Sequence, residues 1–277
     1  MKRIFFLFFV FSILCILPSK ASSKQEKVAT LRVMSYNIRH TGEKRDVEER
    51  AWENRRFATI EMFKREKPDI VGMQEVKEDQ KSYLIENLPD YVPVQMLDNT
   101  KFVMYRKDVF EFVRFGNFWL SPTPNVPSKG WGSISIRATL WVELKIRSTG
   151  RHIFLFDTHL DVKSALARDN GARMCVERMR KIAKKKGVQF LVGDMNTSKQ
   201  EVMDIFTSWL QDSREVAPST NHLPTFNGWG YAKHPEMIDY IFYRNATPTE
   251  FRLLDGKDYG REYISDHYPV MCTFTVR

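Results

Sequence analysis

Cysteine is scarce: the 277 residues hold three, and the first, Cys15, lies in an N-terminal apolar run. Cys175 and Cys272 are too few for a disulfide scaffold or a thiolate zinc site. Each sits at an apolar position, one in a predicted helix and one in a predicted strand. Buried free thiols are therefore the expectation, with a single bridge as the alternative. Repeats, low-complexity linkers and Lys/Arg patches interleaved with aromatics are missing too, which removes solenoids, disordered tails and an obvious nucleic-acid stripe. Long apolar runs are absent as well. The run from Ile4 to Leu17 falls short of the roughly 20 residues that a bilayer core demands.

That run has the marks of an export signal. Lys2 and Arg3 precede it, Pro18 breaks it, and Ser19-Lys20-Ala21 offers small residues to a signal peptidase. The expectation is a signal peptide over residues 1–21 and one domain over residues 22–277, exported to a periplasm or secreted, with an uncleaved membrane anchor as the alternative. Ile13 and Leu14 before Cys15 are too bulky for lipoprotein processing. With 43% hydrophobic and 28% charged residues the chain is an ordinary globular one. Its formal charge is +9, and it stays basic without Lys2, Arg3 and Lys20, which favours anionic partners. Part of that charge is the run from Arg178 to Lys186, which reads as a solvated helix face.

Strand and helix patterns then alternate. Leu31 to Ile38 alternates as a strand, with Leu31, Val33, Ser35 and Asn37 on one face. A helix follows from about Arg50 to Glu66, with Phe57, Ile60 and Phe63 as its core stripe, and Pro68 ends it. Ile70 to Gln74 is a short strand with Glu75 at its end. Four strand patterns lie between Tyr91 and Ile146, joined by connections that imply antiparallel pairing. His152 to Leu160 is another, ending in Asp157-Thr-His159-Leu-Asp161. A helix from Ser164 to Lys186 carries Ala172, Cys175, Met179, Ile182 and Ala183 inward, with Gly187 as its stop. Extending that stripe back reaches Arg168, which needs an anionic partner: Asp161 or a ligand.

Phe190 to Val192 form a buried strand, Gly193 lets the backbone pass closely, and Asp194 and Asn196 follow on one face. An Asp-x-Asn there serves a turn as readily as a site. Asp239 interrupts the apolar strand Met237 to Tyr243, so it must be paired or hydrogen-bonded. Asp266-His267 precedes the last strand, and an imidazole beside acids is a common base arrangement, so His267 and Asp239 are expected to touch. Carboxylate, amide and imidazole thus recur at strand ends: Asn37, Glu75, His159 with Asp161, Asp194 with Asn196, Asp239, and Asp266 with His267. Such clusters are typical of hydrolytic sites, and an oxygen-rich set without cysteine favours a hard cation, Mg²⁺ or Mn²⁺.

The series SYNIR, DIVGMQEV, DTHLD, LVGDMN, IDYIF and SDHYPV resembles, in order, the motifs of the endonuclease/exonuclease/phosphatase superfamily, and Trp52 to Arg55 resembles its secreted or membrane-associated bacterial subgroup. The resemblance implies an α+β fold, a four-layer α/β/β/α sandwich of two mostly antiparallel sheets packed face to face. It also implies metal-assisted hydrolysis of a phosphoester, with Glu75, Asn37 and Asp266 toward the metal. His267, oriented by Asp239, is then a base or phosphate ligand, with Asp194 the competing base. Asn196 and His159 hold phosphoryl oxygens, and Arg168 matches a family arginine that binds substrate. The expected substrate is a phosphate ester, more a diester than a monoester, on nucleic acid, a phospholipid headgroup or a sugar or inositol phosphate, handled by a monomer. Leu191-Val192 and Thr197-Ser198 depart from inositol polyphosphate 5-phosphatases, and Met237-Ile-Asp239 from abasic-site endonucleases. The alternative is a catalytically silent member that binds phosphorylated glycans or lipids.

Overall fold

Strand β1, Ala29–Asn37, is apolar on both faces. Leu31 and Val33 point one way, Met34 and Tyr36 the other, and all four are fully buried, so both faces of its sheet must be covered. This chain covers one with a second sheet and the other with helices. The structure is a computed structural model describing Met1 and residues 27–96, 100–184 and 187–277. Apart from Met1, the expected export segment lies outside the described residues, as do Lys185 and Lys186.

The first sheet runs β11 (Thr247–Leu253), β12 (Val270–Val276), β1, β2 (Ile70–Gln74), β4 (Phe102–Arg106), β3 (Tyr91–Gln95). The second runs β5 (Phe110–Trp119), β6 (Ala138–Ile146), β7 (His152–His159), β8 (Val188–Asp194), β10 (Asp239–Arg244), β9 (Gln211–Asp212). Pairing is antiparallel except at β1/β2 and β7/β8, which are parallel. Each parallel pair is joined by a crossover helix, α1 (Trp52–Glu66) in the first sheet and α3 (Ala165–Ile182) in the second. Two further helices, α2 (Glu78–Asn87) and α4 (Gln200–Thr207), join them on the outer faces, and α5 (Ser213–Val216) is a single turn.

Leu31, Val33, Val142, Leu155, Phe190 and Phe274 belong to the core between the sheets. Each fully buried side chain of this size contributes about 1.5–3 kcal/mol. Phe274 of β12 meets Phe190 of β8 at 4.8 Å and Tyr243 of β10 at 5.2 Å between ring centroids, tying one sheet to the other. Met34, Met62, Phe63 and Met104 form a second core under α1, and Cys175, Met179, Leu191, Phe206 and Phe242 a third under α3 and α4. The result is the expected four-layer α/β/β/α sandwich.

Several local expectations need correcting. Phe57 is 46% exposed, because the buried face of α1 follows Trp52, Arg55, Thr59 and Met62 at the helical period, and Phe57 falls off it. It lies under the Arg261 guanidinium instead. Helix α3 stops at Ile182 rather than at Gly187, since Lys184 itself takes the left-handed turn with φ 55°. Cys175 and Cys272 are free, one in the helix-side core and one between the sheets. Among the described residues, no helix is long and apolar enough to cross a membrane.

Candidate active site

Topology gathers the polar strand ends. Because β1 pairs parallel with β2, and β7 with β8, Asn37 lies beside Gln74 and His159 beside Asp194 at one edge. Strands β10 and β12 run antiparallel to their neighbours β8 and β1, so they begin where those end, which sets Asp239 opposite Asp194. Parallel strands with shared carboxyl ends are where open sheets commonly place ligands. Gly193 makes the close passage possible: a Cβ there would sit 2.1 Å from the Thr158 carbonyl oxygen. Glu75 and Asn196 turn out of their strands with φ of 67° and 51°.

Asn37 bridges the two sheets. Its Nδ2 donates to Asp194 Oδ2 at 3.0 Å and to Glu75 Oε1 at 3.3 Å, while its Oδ1 accepts the Arg39 N–H at 3.0 Å. The expected imidazole–carboxylate contact is present, with His267 Nδ1 2.9 Å from Asp239 Oδ2. His267 Nε2 stands 3.8 Å from Asp194 Oδ2, and His159 Nε2 reaches the same oxygen at 3.4 Å. Backbone contacts lock this unit. Ser265 Oγ donates to the Asn37 carbonyl at 2.7 Å and accepts the His267 N–H at 3.2 Å. Thr225 Oγ1 accepts the N–H groups of Ile238 and Asp239, and Phe226 sets its ring edge-on to His267.

Burial and charge separate the roles of these groups. Burial pushes the Asp194 carboxyl up to about 7, with Asp239 adding and His267 opposing. Burial raises Asp266 as well, whereas at Glu75 His267 and His40 outweigh burial and lower it. Burial, helped by Arg137 and Lys101, holds His159 well below 6.5, as neutral imidazole. At His267 burial disfavours the charged ring, but Asp239 and Asp194 more than offset it and the pKa stands well above 6.5. Since the folded-state value exceeds the unfolded one, this stabilisation is full below pH 6.5 and is lost as pH rises through the raised value. Asp194 works in the same direction between 3.8 and about 7. The Tm of the metal-free chain is therefore expected to fall as pH is raised from 6.5 into the alkaline range. His267→Asn should flatten that limb in thermal unfolding followed against pH.

Asp194, Asp239 and His267 present ligand atoms within 4.8 Å of one another. Asp239 Oδ1 is buried with no hydrogen-bond partner, and Glu75 and Asp266 are near enough for the charge of one to raise the other, so carboxylate oxygens dominate the edge, a set that fits a hard divalent cation. Both nitrogens of His267 already face carboxylates, so the imidazole is built as an acid–base unit. Glu75 and Asp266 both feel its charge, and Arg39 Nη1 is 3.5 Å from Asp266 Oδ2.

Two residues read from the sequence are placed differently from the rest. Asn196 is both turn and site: its N–H donates to Asp194 Oδ1 at 2.8 Å, while its Nδ2 is engaged by the Leu160 carbonyl at 3.0 Å. Arg168 donates to the Asp161 backbone carbonyl at 2.9 Å and borders a cleft with Lys199 and Glu201. The Asp161 carboxylate instead accepts backbone N–H groups of Ile134, Lys163 and Ser164. The arginine coupled to Asp194, Asp161 and Glu75 is Arg137. Sequence reasoning missed it, together with buried Lys101 and Asp157. A charge abutting an apolar strand, as at Lys101 before Phe102 and Arg137 before Ala138, was the signal to follow.

Comparison with known proteins agrees with this geometry. A solved endonuclease/exonuclease/phosphatase family protein from Bacteroides thetaiotaomicron superposes with a TM-score of 0.83 at 28% identity, over 91% of this chain and 99% of that one. The mannosyl-6-phosphatase of Bacteroides thetaiotaomicron VPI-5482 gives 0.81 at 29% identity, over 88% and 99%. D. rerio TDP2 complexed with a single-strand DNA product gives 0.72 at 21% identity, over 89% and 99%, a likeness of fold alone. Residues 34–267 match the sequence pattern of a family whose members share this sandwich, and the chain belongs to the Endonuclease/Exonuclease/phosphatase family.

Proposed function

We propose that this chain is an exported, Mg²⁺- or Mn²⁺-dependent phosphoesterase, its catalytic domain spanning residues 22–277 after loss of residues 1–21, acting as a monomer. One observation carries the reading. The His267–Asp239 pair points at Asp194, which Asn37 ties across the sheets to Glu75. Glu75, with Asn37 and Asp266, would hold the cation, which when bound supplies Lewis-acid polarisation of the phosphoryl group. Asp239 fixes the ring of His267. Asp194, with a carboxyl near neutral, is poised to take a proton from the attacking water, and the His267 imidazolium that Asp239 and Asp194 hold charged stands beside it as a phosphate ligand and proton donor. His159 and Asn196 flank Asp194 and favour the charge that builds on the phosphoryl oxygens. Arg168, on the cleft it shares with Lys199 and Glu201, would be a further substrate contact.

The mannosyl-6-phosphatase relative shifts the expected bond from a diester toward a monoester. The test is hydrolysis by the chain beginning at Ser22 of plasmid DNA, RNA, sphingomyelin, inositol phosphates, hexose phosphates and a bis-aryl phosphodiester, with Mg²⁺, with Mn²⁺ and with chelator. Cleavage of at least one member is expected, abolished by chelator and restored by added metal. Chelator-resistant cleavage would overturn the cation assignment. A folded, metal-binding chain that cleaves nothing would favour the silent binding module.

A further inference from the structure

Beside the catalytic edge lies a cavity of about 430 Å³, lined by Glu48, Glu49, Arg50, Trp229, Tyr231 and Tyr263, with Arg261 and Glu262 just before Tyr263 in the chain. It is joined to the site by short covalent and hydrogen-bonded paths. Tyr263 lies three residues before Asp266, and the N–H groups of Asn227 and Gly228 donate to the Asp266 carbonyl at 2.9 and 3.0 Å. The 227–231 turn is thereby anchored one residue from His267.

The lining is held in place. Trp229 takes φ 62° and Glu48 φ 51°, a left-handed conformation that bulky side chains rarely adopt and that clusters at ligand clamps. Asn227 Oδ1 accepts the Trp229 N–H at 2.7 Å. Behind the indole stands the guanidinium of Arg55, 5.5 Å from the ring centroid and bonded to the carbonyls of Ile38, Arg39 and Ile264. Tyr231 is 76% exposed, yet Arg50 lies over its ring at 5.1 Å, which orients an otherwise free rim residue.

Aromatic faces edged by carboxylates and guanidiniums are suited to a polyol ring: the faces cover its C–H surface, and the charged groups accept from and donate to its hydroxyls. The charges argue against a nucleic-acid strand. Three carboxylates, Glu48, Glu49 and Glu262, stand against two guanidiniums, Arg50 and Arg261, and the phosphates flanking a scissile one would meet that excess. A neutral sugar meets no such repulsion.

We propose that this cavity is the leaving-group subsite and receives a sugar, so that the substrates are sugar phosphate esters. The inference rests on the phosphoesterase reading above. Water's oxygen bonds to phosphorus, the bond from phosphorus to the sugar oxygen breaks, and that oxygen takes a proton, leaving a free sugar and phosphate.

The test compares mannose 6-phosphate with p-nitrophenyl phosphate, which has no sugar, in the Mg²⁺-loaded protein and in Tyr231→Ala and Glu262→Gln. Each exposed substitution is expected to lower the ratio of the two kcat/KM values about tenfold, the scale of one lost contact, with the change lying in KM. An unchanged ratio overturns the subsite. Should the unsubstituted protein hydrolyse neither compound, quenching of tryptophan fluorescence by free mannose decides the subsite separately, while the phosphoesterase reading fails only if no ester of the wider panel is cleaved either. Saturable quenching that Tyr231→Ala abolishes keeps it, and no quenching overturns it. Tyr231-dependent binding of a DNA oligonucleotide in place of the sugar overturns the substrate class.

Discussion

Replacing His267 with alanine is expected to lower kcat by about 10²-fold or more, the scale of a lost acid–base group, with a much smaller change in KM. The imidazole is buried, with Asp239 2.9 Å from one nitrogen and Asp194 3.8 Å from the other. It therefore stands between the group that orients it and the group it exchanges protons with. Removing it leaves Asp194 and Asp239 facing each other, and burial and Asp239 both already raise the Asp194 carboxyl, so the proton it holds becomes harder to remove near neutral pH. Asp239→Asn preserves the shape but places a neutral carboxamide opposite Nδ1, and should lose a comparable factor. The double variant should lose little more than His267→Ala alone, because residues acting as one unit are not additive. Single-turnover rates, with thermal unfolding to confirm folding, decide the matter. Unchanged turnover in His267→Ala would remove the imidazole from the acid–base chemistry and leave Asp194 to act without it.

How much of this was legible in the sequence depended on whether a residue's surroundings were local. Asn37, Glu75, His159, Asp194, Asp239 and His267 each broke an apolar strand at or near its end, and a sheet turns that local position into a common edge once the parallel pairs are aligned. The pairs themselves are non-local, so the bridge from Asn37 to Asp194 across the sheets could not be read from spacing. Helix α2 was missed because its buried residues are Gln80, Lys81 and Leu84: with one apolar residue among them, periodicity had almost nothing to register. Arg168 shows the reverse error. Its helical phase was read correctly as inward, but its partner is a backbone carbonyl, and the loop from Ser121 to Arg137 delivers the arginine coupled to Asp194 instead. The turn-forming Asn196 was ambiguous in the sequence and serves both purposes in the fold.

Asp157→Leu is expected to destabilise the chain by roughly 3–5 kcal/mol, the cost of removing one partner of a buried charge pair. Asp157 is fully buried on β7 between the sheets, where Gln74 Nε2 of β2 donates to its Oδ1 at 2.7 Å. The sheets approach closely there because Gly72 lacks a side chain: a Cβ would lie 2.4 Å from Val192 and 3.1 Å from Asp157. Burial raises the pKa of this carboxyl to about 8. Burial lowers that of Lys101, 2% exposed, to about 8, each group partly relieving the other. With Asp157 gone, the Lys101 ammonium has lost its largest opposing charge, so Lys101→Met should be the better-tolerated second change. Combining the two should recover a large part of the loss, since apolar replacement of a whole buried pair is often near neutral. Denaturant unfolding of the two single variants and the double variant closes the cycle. Additive losses would mean that Asp157 and Lys101 stabilise the fold independently. The field of Lys101 also reaches Glu75 and Asp194, so the double variant should bind the cation more tightly even where its stability is restored. Equal Mn²⁺ affinity in the variant and the unsubstituted chain would confine the pair to a structural role beneath the site.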